Sequence, residues 1–265
     1  MAAIALTPET GRAHGALLRG KVALITGAGS GVGQGIAYAL AAEGAAIAAA
    51  GRTMKKVEAT AAELTRRGAK AIAIQCDVKN NDALVNAVNQ AIERFGGINI
   101  LVNDAQEVPL GALLNVPEKN FQAAWESGPL ATFRLMKLCH PHLKKDGGSI
   151  VNLASSAAKR WDMSGYGAYG AVKEAIRVLT RAAAAEWGRE GIRANAILPL
   201  ANSPGMQWWV QNAPEAPAFL KTVPLQRLGD CETDIGRFVA LLCSEECRYV
   251  NGQSIGLDGG QAYLG

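Results

Sequence analysis

The sequence predicts an α/β chain with one doubly wound parallel sheet in three α/β/α layers. Short apolar runs of strand length recur along the chain and are nearly continuous rather than alternating, as in strands covered on both faces. Amphipathic stretches of helical period separate them, which is the crossover that parallel neighbours require. A glycine-rich turn, Gly27-Ala-Gly-Ser-Gly-Val-Gly33, joins the first run to the first helix. At 265 residues the chain is long enough for a large core, and α/β domains of this size are commonly single.

The elements follow in order. Residues 1 to about 19 are small, polar and punctuated by Pro and Gly, and are read as an N-terminal extension; residues 20–265 form the domain. The first strand is Lys21 to Thr26. A helical pattern then runs from Gln34 to Glu43 and closes at Gly44, a C-terminal glycine. Strands at Ala45–Ala50, Lys70–Cys76, Asn99–Val102, Gly147–Leu153 and Ile192–Leu198 alternate with helices at about Met54–Arg67, Asp82–Phe95, Glu118–Leu143 and Gly165–Gly188. From Leu200 to Val223 the pattern breaks into Pro-, Trp- and Asn-rich sequence, which reads as a long functional loop. A helix at about Cys231–Ser244 and a strand near Ser254–Leu257 finish the domain.

Composition excludes several classes. Apolar residues make up 49% and charged residues 19%, as in a globular protein. Net charge is +4 with the basic residues scattered, so neither a nucleic-acid stripe nor an aromatic–basic pattern forms. The five cysteines are irregularly spaced, without a Cys-x-x-Cys pair, and the three histidines do not cluster. A reduced, cytoplasmic chain without a metal site is expected. The N-terminus lacks the pattern of a signal peptide, and no apolar run approaches the roughly 18 residues that span a bilayer, so no membrane association is expected.

The turn Gly27-x-x-x-Gly31-x-Gly33 favours dinucleotide binding. Its glycines permit a tight turn and close approach of a pyrophosphate, and the N–H groups of the following helix face the anion. Tyr169 and Lys173 stand four apart and share one helix face. An ammonium beside a phenol favours phenolate and is expected to bring its pKa toward the working range.

Thr26-Gly27-x-x-x-Gly31-x-Gly33, Ile150-Val-Asn-Leu-Ala-Ser155, Tyr169-Gly-Ala-Val-Lys173 and Leu257-Asp-Gly-Gly260 stand in the order of the short-chain dehydrogenase/reductase family, and the chain resembles that family over about residues 20 to 260. The resemblance implies a Rossmann-type fold and an oxidoreductase interconverting a secondary alcohol and a ketone with a nicotinamide cofactor. It places the cofactor against Gly27, Gly29, Ser30, Gly31, Val32 and Gly33, then Arg52 and Thr53 after the second strand and Asp77 and Val78 after the third. Asn103 and Ala105, Pro199, Tyr169 and Lys173 complete the implied cofactor site. Gly51 occupies the family's acidic ribose position and Arg52 follows, so NADP(H) is favoured, with NAD(H) as the alternative. Tyr169 is the implied proton donor and acceptor, Ser155 the hydrogen-bonding partner of the substrate oxygen, and Lys173 a contact of the nicotinamide ribose. Ser156 competes with Ser155, because its spacing to Tyr169 is the more usual one; an extra residue in the Trp161–Gly167 loop accounts for the difference.

The chain departs from the family pattern at three places. Asn-Asn-Ala-Gly reads Asn103-Asp104-Ala105-Gln106. Gly128 stands where a fourth catalytic residue, an Asn, is usual, so a relay through the main-chain carbonyl survives and one through the side chain does not. Pro-Gly after the sixth strand reads Pro199-Leu200. On the substrate side, Met206 and Trp209 belong to an apolar lid over about 200–223, fitting a hydrophobic or cyclic alcohol or ketone; packing of the lid itself or of a subunit interface explains the same residues. The family implies a homodimer or homotetramer through the two long helices. The alternative function is a cofactor-binding protein with weakened or lost catalysis.

Overall fold

The computed structural model describes residues 16–159, 165–214 and 216–262. The extension before residue 16 and most of the Trp161–Gly167 loop lie outside the described residues. The chain joins the core before its first strand: Leu18 is fully buried and its N–H donates to Glu43 O at 2.8 Å.

Among the described residues seven strands form the sheet: β1 (Val22–Thr26), β2 (Ala46–Gly51), β3 (Ala71–Gln75), β4 (Ile100–Asn103), β5 (Gly148–Leu153), β6 (Ile192–Pro199) and β7 (Ser254–Leu257). All pair in parallel, in the order β3-β2-β1-β4-β5-β6-β7. The order reverses beside β1, so the carboxyl ends of β1 and β4 open a crevice there, where doubly wound sheets bind ligands.

Side chains of a strand alternate between faces, and the core divides accordingly. Ala23, Ile25, Ile47, Ala49, Ile100 and Val102 meet α1 (Gly31–Ala42) and α9 (Arg237–Cys243) through Ile36, Leu40, Val239 and Leu242. Leu24, Ala48, Ala50 and Leu101 meet the other face through Leu84 and Val88 of α3 (Asn81–Phe95), Leu135 and Met136 of α5 (Ala131–Leu143), and Ala183 of α6 (Gly167–Trp187). On the first face α1 approaches closely because Gly35 has no side chain; a Cβ there would fall on the Cys231 carbonyl group.

The structure corrects three element boundaries. The first helix begins at Gly31, three residues earlier than the apolar periodicity shows, because glycines fill its first turn. The helix expected over Glu118–Leu143 is α4 (Glu118–Trp125), a π-turn at Glu126–Leu130, and α5. Pro129 lacks an N–H and its ring meets the carbonyl four residues back, which opens the turn. The stretch expected as a loop holds α7 (Pro204–Asn212) and α8 (Ala216–Lys221). Ser203 caps α7, accepting from Met206 N at 3.3 Å, and Pro204 sits in its first turn, where a missing N–H costs nothing.

Candidate active site

The glycine turn leaves β1 with φ +71° at Gly27 and enters α1 with φ +61° at Gly31, a backbone region that glycine adopts without strain. Side chains are excluded across the cradle. A Cβ on Gly29 would come 2.9 Å from Lys56 Cβ, and one on Gly33 would come 2.7 Å from Gly27 O. Ser30, exposed, precedes the first N–H groups of α1, and Val32 lies half-buried in its first turn. A backbone cradle with helix N–H groups facing out of it suits a pyrophosphate, so these residues fit a dinucleotide.

Asp104 lies directly beneath this cradle. Its carboxylate accepts from the Gly33 N–H, and one oxygen would be only 2.6 Å from a Cβ on Gly33. The N–H groups of Asp104 and Ala105 both donate to Thr26 Oγ1, at 3.1 and 3.2 Å. Burial pushes the Asp104 carboxyl well above the usual carboxylate range, and the Lys173 charge opposes that rise. Burial lowers the Lys173 ammonium, and the Asp104 charge opposes that fall. The two groups therefore hold each other's charge in a site that favours neither. The sequence shows Asp104 in the altered motif after β4 but not its coupling with Lys173, which no spacing reveals.

At the end of β2 Gly51 is buried, and a Cβ on it would come 2.8 Å from Val57 Cγ1. Arg52 is exposed and pairs with Glu107 Oε1 at 3.2 Å, an oxygen that also takes Lys79 Nζ at 2.8 Å. Thr53 precedes α2 (Met54–Arg66) as its N-cap. Asp77 accepts from Lys79 N at 3.1 Å, and Val78 is buried beside it. Two cations thus stand near the predicted 2′ position, with Glu107 between them.

Ser155 and Tyr169 meet through a side-chain hydrogen bond. Ser155 Oγ also accepts from Ala157 N at 3.2 Å. Ser156 is buried and its hydroxyl faces Gln261 Oε1 at 3.5 Å instead. Lys173, on the same face of α6 as Tyr169, is buried and donates to Leu153 O at 2.6 Å. Its Nζ is 5.6 Å from the centre of the Tyr169 ring.

The ionisation of Tyr169 differs from the expectation. Burial pushes the phenol up to about 12, the Ser155 hydrogen bond pulls it down, and the Asp104 charge raises it further. Desolvation of the phenolate dominates here, and the phenol is held protonated. That is the form a ketone needs from a proton donor.

The Asn103 side chain, in the segment expected at the cofactor, donates to Asn152 Oδ1 at 2.8 Å, and Asn152 in turn donates to Thr180 at 2.9 Å. Its side chain ties β4 to β5 and α6. Pro199 ends β6, and Leu200 behind it is buried, its N–H donating to Leu257 O at 3.0 Å. Met206 and Trp209, three apart on α7, are half-buried; Trp209 meets Phe219 edge-to-face at 5.1 Å. Trp208 points away and is 67% exposed. The start of α7 rests on the cradle, since a Cβ on Gly31 would lie 3.2 Å from Ser203 Cβ and 3.6 Å from Pro204 Cδ. Gly128, in the π-turn, packs against the side chain of Gln106.

The chain is similar to several known proteins. A family model described as Enoyl-(Acyl carrier protein) reductase matches residues 27–262. A 12α-hydroxysteroid dehydrogenase of Clostridium sp. is 39% identical over 250 residues, covering 91% of this chain and 96% of that protein. The short chain dehydrogenase mdpC of Emericella nidulans is 32% identical over 257 residues, covering 92% and 96%. Among solved structures, a 7α-hydroxysteroid dehydrogenase complexed with NADH and 7-oxo glycochenodeoxycholic acid superposes with a TM-score of 0.88 at 28% identity, covering 96% of this chain and 99% of that one. A dehydrogenase/reductase from Sinorhizobium meliloti superposes with a TM-score of 0.86 at 29% identity, covering 93% and 96%. The chain belongs to the short-chain dehydrogenase/reductase family and is an NAD(P)-dependent oxidoreductase interconverting alcohols and ketones.

Proposed function

We propose that this enzyme reduces, and in reverse forms, a ketone on a fused-ring, steroid-like substrate, with NADP(H) as its preferred cofactor. The observation that carries the substrate class is the apolar cover. Met206 and Trp209 share a face of α7, Trp209 is braced by Phe219, and the first turn of α7 rests on the cofactor cradle. A broad apolar wall with one polar end suits a rigid ring system better than a sugar. The hydroxysteroid substrates named for the Clostridium relative and for the 7α-hydroxysteroid enzyme support the same class.

Gly27, Gly29, Ser30, Gly31, Val32 and Gly33 would hold the pyrophosphate, Arg52 and Thr53 the adenine ribose with its 2′-phosphate, Asp77 and Val78 the adenine, and Ala105, Pro199, Tyr169 and Lys173 the nicotinamide side. When bound, the nicotinamide supplies or accepts the hydride. Ser155 donates a hydrogen bond to the ketone oxygen and orients it. Tyr169 gives that oxygen its phenolic proton as negative charge develops there, and Lys173 stabilises the phenolate left behind. The enclosed Gly51 leaves no carboxylate against a 2′-phosphate, and Arg52 supplies a planar set of donors once it exchanges Glu107 for the phosphate.

A cytoplasmic location belongs to the same proposal and is supported by five free cysteines. Among the described residues no helix is long and apolar enough to cross a membrane. A homodimer or homotetramer through α4–α5 and α6 is supported by Phe121, Trp125, Phe133 and Val178, which stay exposed on those helices.

The test follows NADPH and NADH absorbance with 3-, 7- and 12-oxo-steroids, small cyclic ketones and open-chain 3-oxoacyl thioesters. Turnover of a steroid ketone with NADPH is the expected result. Turnover of the thioesters alone would refute the substrate class, a preference for NADH would refute the cofactor, and binding without any turnover would leave a cofactor-binding protein.

A further inference from the structure

Three loops meet at Glu107. Arg52 follows β2, Lys79 follows β3 and Glu107 follows β4, while β1 lies between β2 and β4 in the sheet. The Arg52–Glu107 pair, at 3.2 Å, therefore spans the carboxyl end of β1, where the crevice opens. Lys79 Nζ reaches the same carboxylate oxygen at 2.8 Å. One oxygen thus gathers two cations from the opposite wall of that crevice.

The backbone beneath these side chains is fixed. The Glu107 N–H donates to Ser127 Oγ at 2.9 Å, and Ser127 is buried in the π-turn. The Lys79 N–H donates to Asp77 Oδ1 at 3.1 Å, and the Lys79 carbonyl accepts from Arg134 at 3.4 Å. The Arg52 carbonyl accepts from Gln75 Nε2 at 3.4 Å. The charged ends, by contrast, stand in water: the side chains of Arg52, Glu107 and Lys79 are 67%, 37% and 30% exposed. Ion pairs so exposed are weak and screened by salt, so a better anion takes the cations over without disturbing the fold. A phosphate monoester is a better anion. It carries about −1.5 to −2 charges near neutral pH and three acceptor oxygens, where a carboxylate has a single charge and a pair of oxygens.

We propose that Glu107 is a specificity-determining residue: its carboxylate holds Arg52 and Lys79 together as an internal stand-in for the 2′-phosphate of NADP(H), which displaces it. Lys79 is then a second cation for that phosphate, beside Arg52. Arg52 brings a planar fork of donors and Lys79 a point charge, so the two bind different oxygens of one phosphate. The displaced carboxylate stays close, because its backbone is tied to Ser127, and it repels the incoming phosphate. The 2′-hydroxyl of NAD(H) is uncharged and leaves both pairs closed. The inference rests on the NADP(H) reading for the identity of the ligand.

The test is calorimetric titration of the full chain with adenosine 2′,5′-bisphosphate and with adenosine 5′-monophosphate. The two probes differ by the 2′-phosphate alone, and neither transfers hydride. Glu107→Gln keeps the size of the side chain and removes its charge. This variant is expected to bind the bisphosphate about three- to ten-fold more tightly than wild type, with the monophosphate within about two-fold. The gain is expected to shrink in about 1 M salt, where exposed charges are screened. Lys79→Gln is expected to weaken the bisphosphate by a similar factor and to leave the monophosphate unchanged. Bisphosphate affinity unaltered in Glu107→Gln would overturn the proposal. So would equal tightening of both probes, which marks a general field on the crevice rather than a stand-in for one phosphate. An unaltered affinity in Lys79→Gln would remove Lys79 from the site. Should wild type bind the monophosphate more tightly than the bisphosphate, the NADP(H) reading fails, while the change between wild type and Glu107→Gln still decides the role of Glu107.

Discussion

Replacing Asp104 by Asn tests the electrostatics of the site most directly. The amide keeps an oxygen for the Gly33 N–H and nearly the same volume, so packing beneath the cradle is retained. What is lost is a charge. In the wild type that carboxyl is pushed up to about 7, so it ionises as pH rises through neutrality. An ionised Asp104 lies just beneath the place for a pyrophosphate and repels it. Cofactor affinity of the wild type is therefore expected to weaken as pH rises from about 6 to 8, whereas the Asn variant stays flat and binds more tightly at the upper end. The sign for Lys173 is equally determined. Asp104 raises the ammonium's pKa and also raises that of Tyr169. Without it both groups lose their protons at lower pH, and the alkaline limb of ketone reduction moves acidward. A nearby opposite charge typically moves a pKa by about 1–3 units. The shift should thus be about one to two pH units. Fluorescence titration with NADPH at a series of pH values and a pH profile of kcat/KM read both effects. An alkaline limb that stays in place or moves up, with cofactor affinity unchanged at pH 8, would refute the account of Asp104 as a charge coupled to Lys173.

Three further outcomes are expected. Tyr169→Phe should lower kcat by about 10²–10⁴-fold with little change in Tm, since it removes the proton donor and one hydrogen bond to Ser155 but leaves the ring in place; steady-state kinetics beside a melting curve checks this. Arg52→Ala should raise KM for NADPH by about ten-fold or more and leave KM for NADH within about two-fold, because its loss frees Glu107 to face a 2′-phosphate, and equal effects on both cofactors would count against NADP(H) recognition there. Gly35→Ala should destabilise the protein by about 1–3 kcal/mol or more, because its Cβ falls on the backbone of Cys231 rather than on a movable side chain; urea denaturation showing no loss would contradict the close α1 packing.

What the sequence determined by itself was whatever depends on neighbours along the chain. The period of its apolar residues marks strands and helices, since alternation and the 3.6-residue repeat are local geometry. The glycines from 27 to 33 and the four-residue step from Tyr169 to Lys173 are equally local, so the tight turn and the shared helix face were legible. The π-turn at Glu126–Leu130 interrupts what the apolar period reads as one helix, and neither that turn nor its contact with Gln106 was legible. The tertiary structure alone decided contacts between residues far apart in sequence. Thr26 holds Asp104 across 78 positions, Asn103 turns to Asn152 across 49, and Arg52 reaches Glu107 across 55. Which side chain faces the cradle after β4 depends on how the segment leaves the sheet, and pKa values follow from burial that only the assembled layers create. The same physics reversed the expectation for Tyr169: a nearby Lys173 was visible in the spacing, but the desolvation that outweighs it belongs to the packed site.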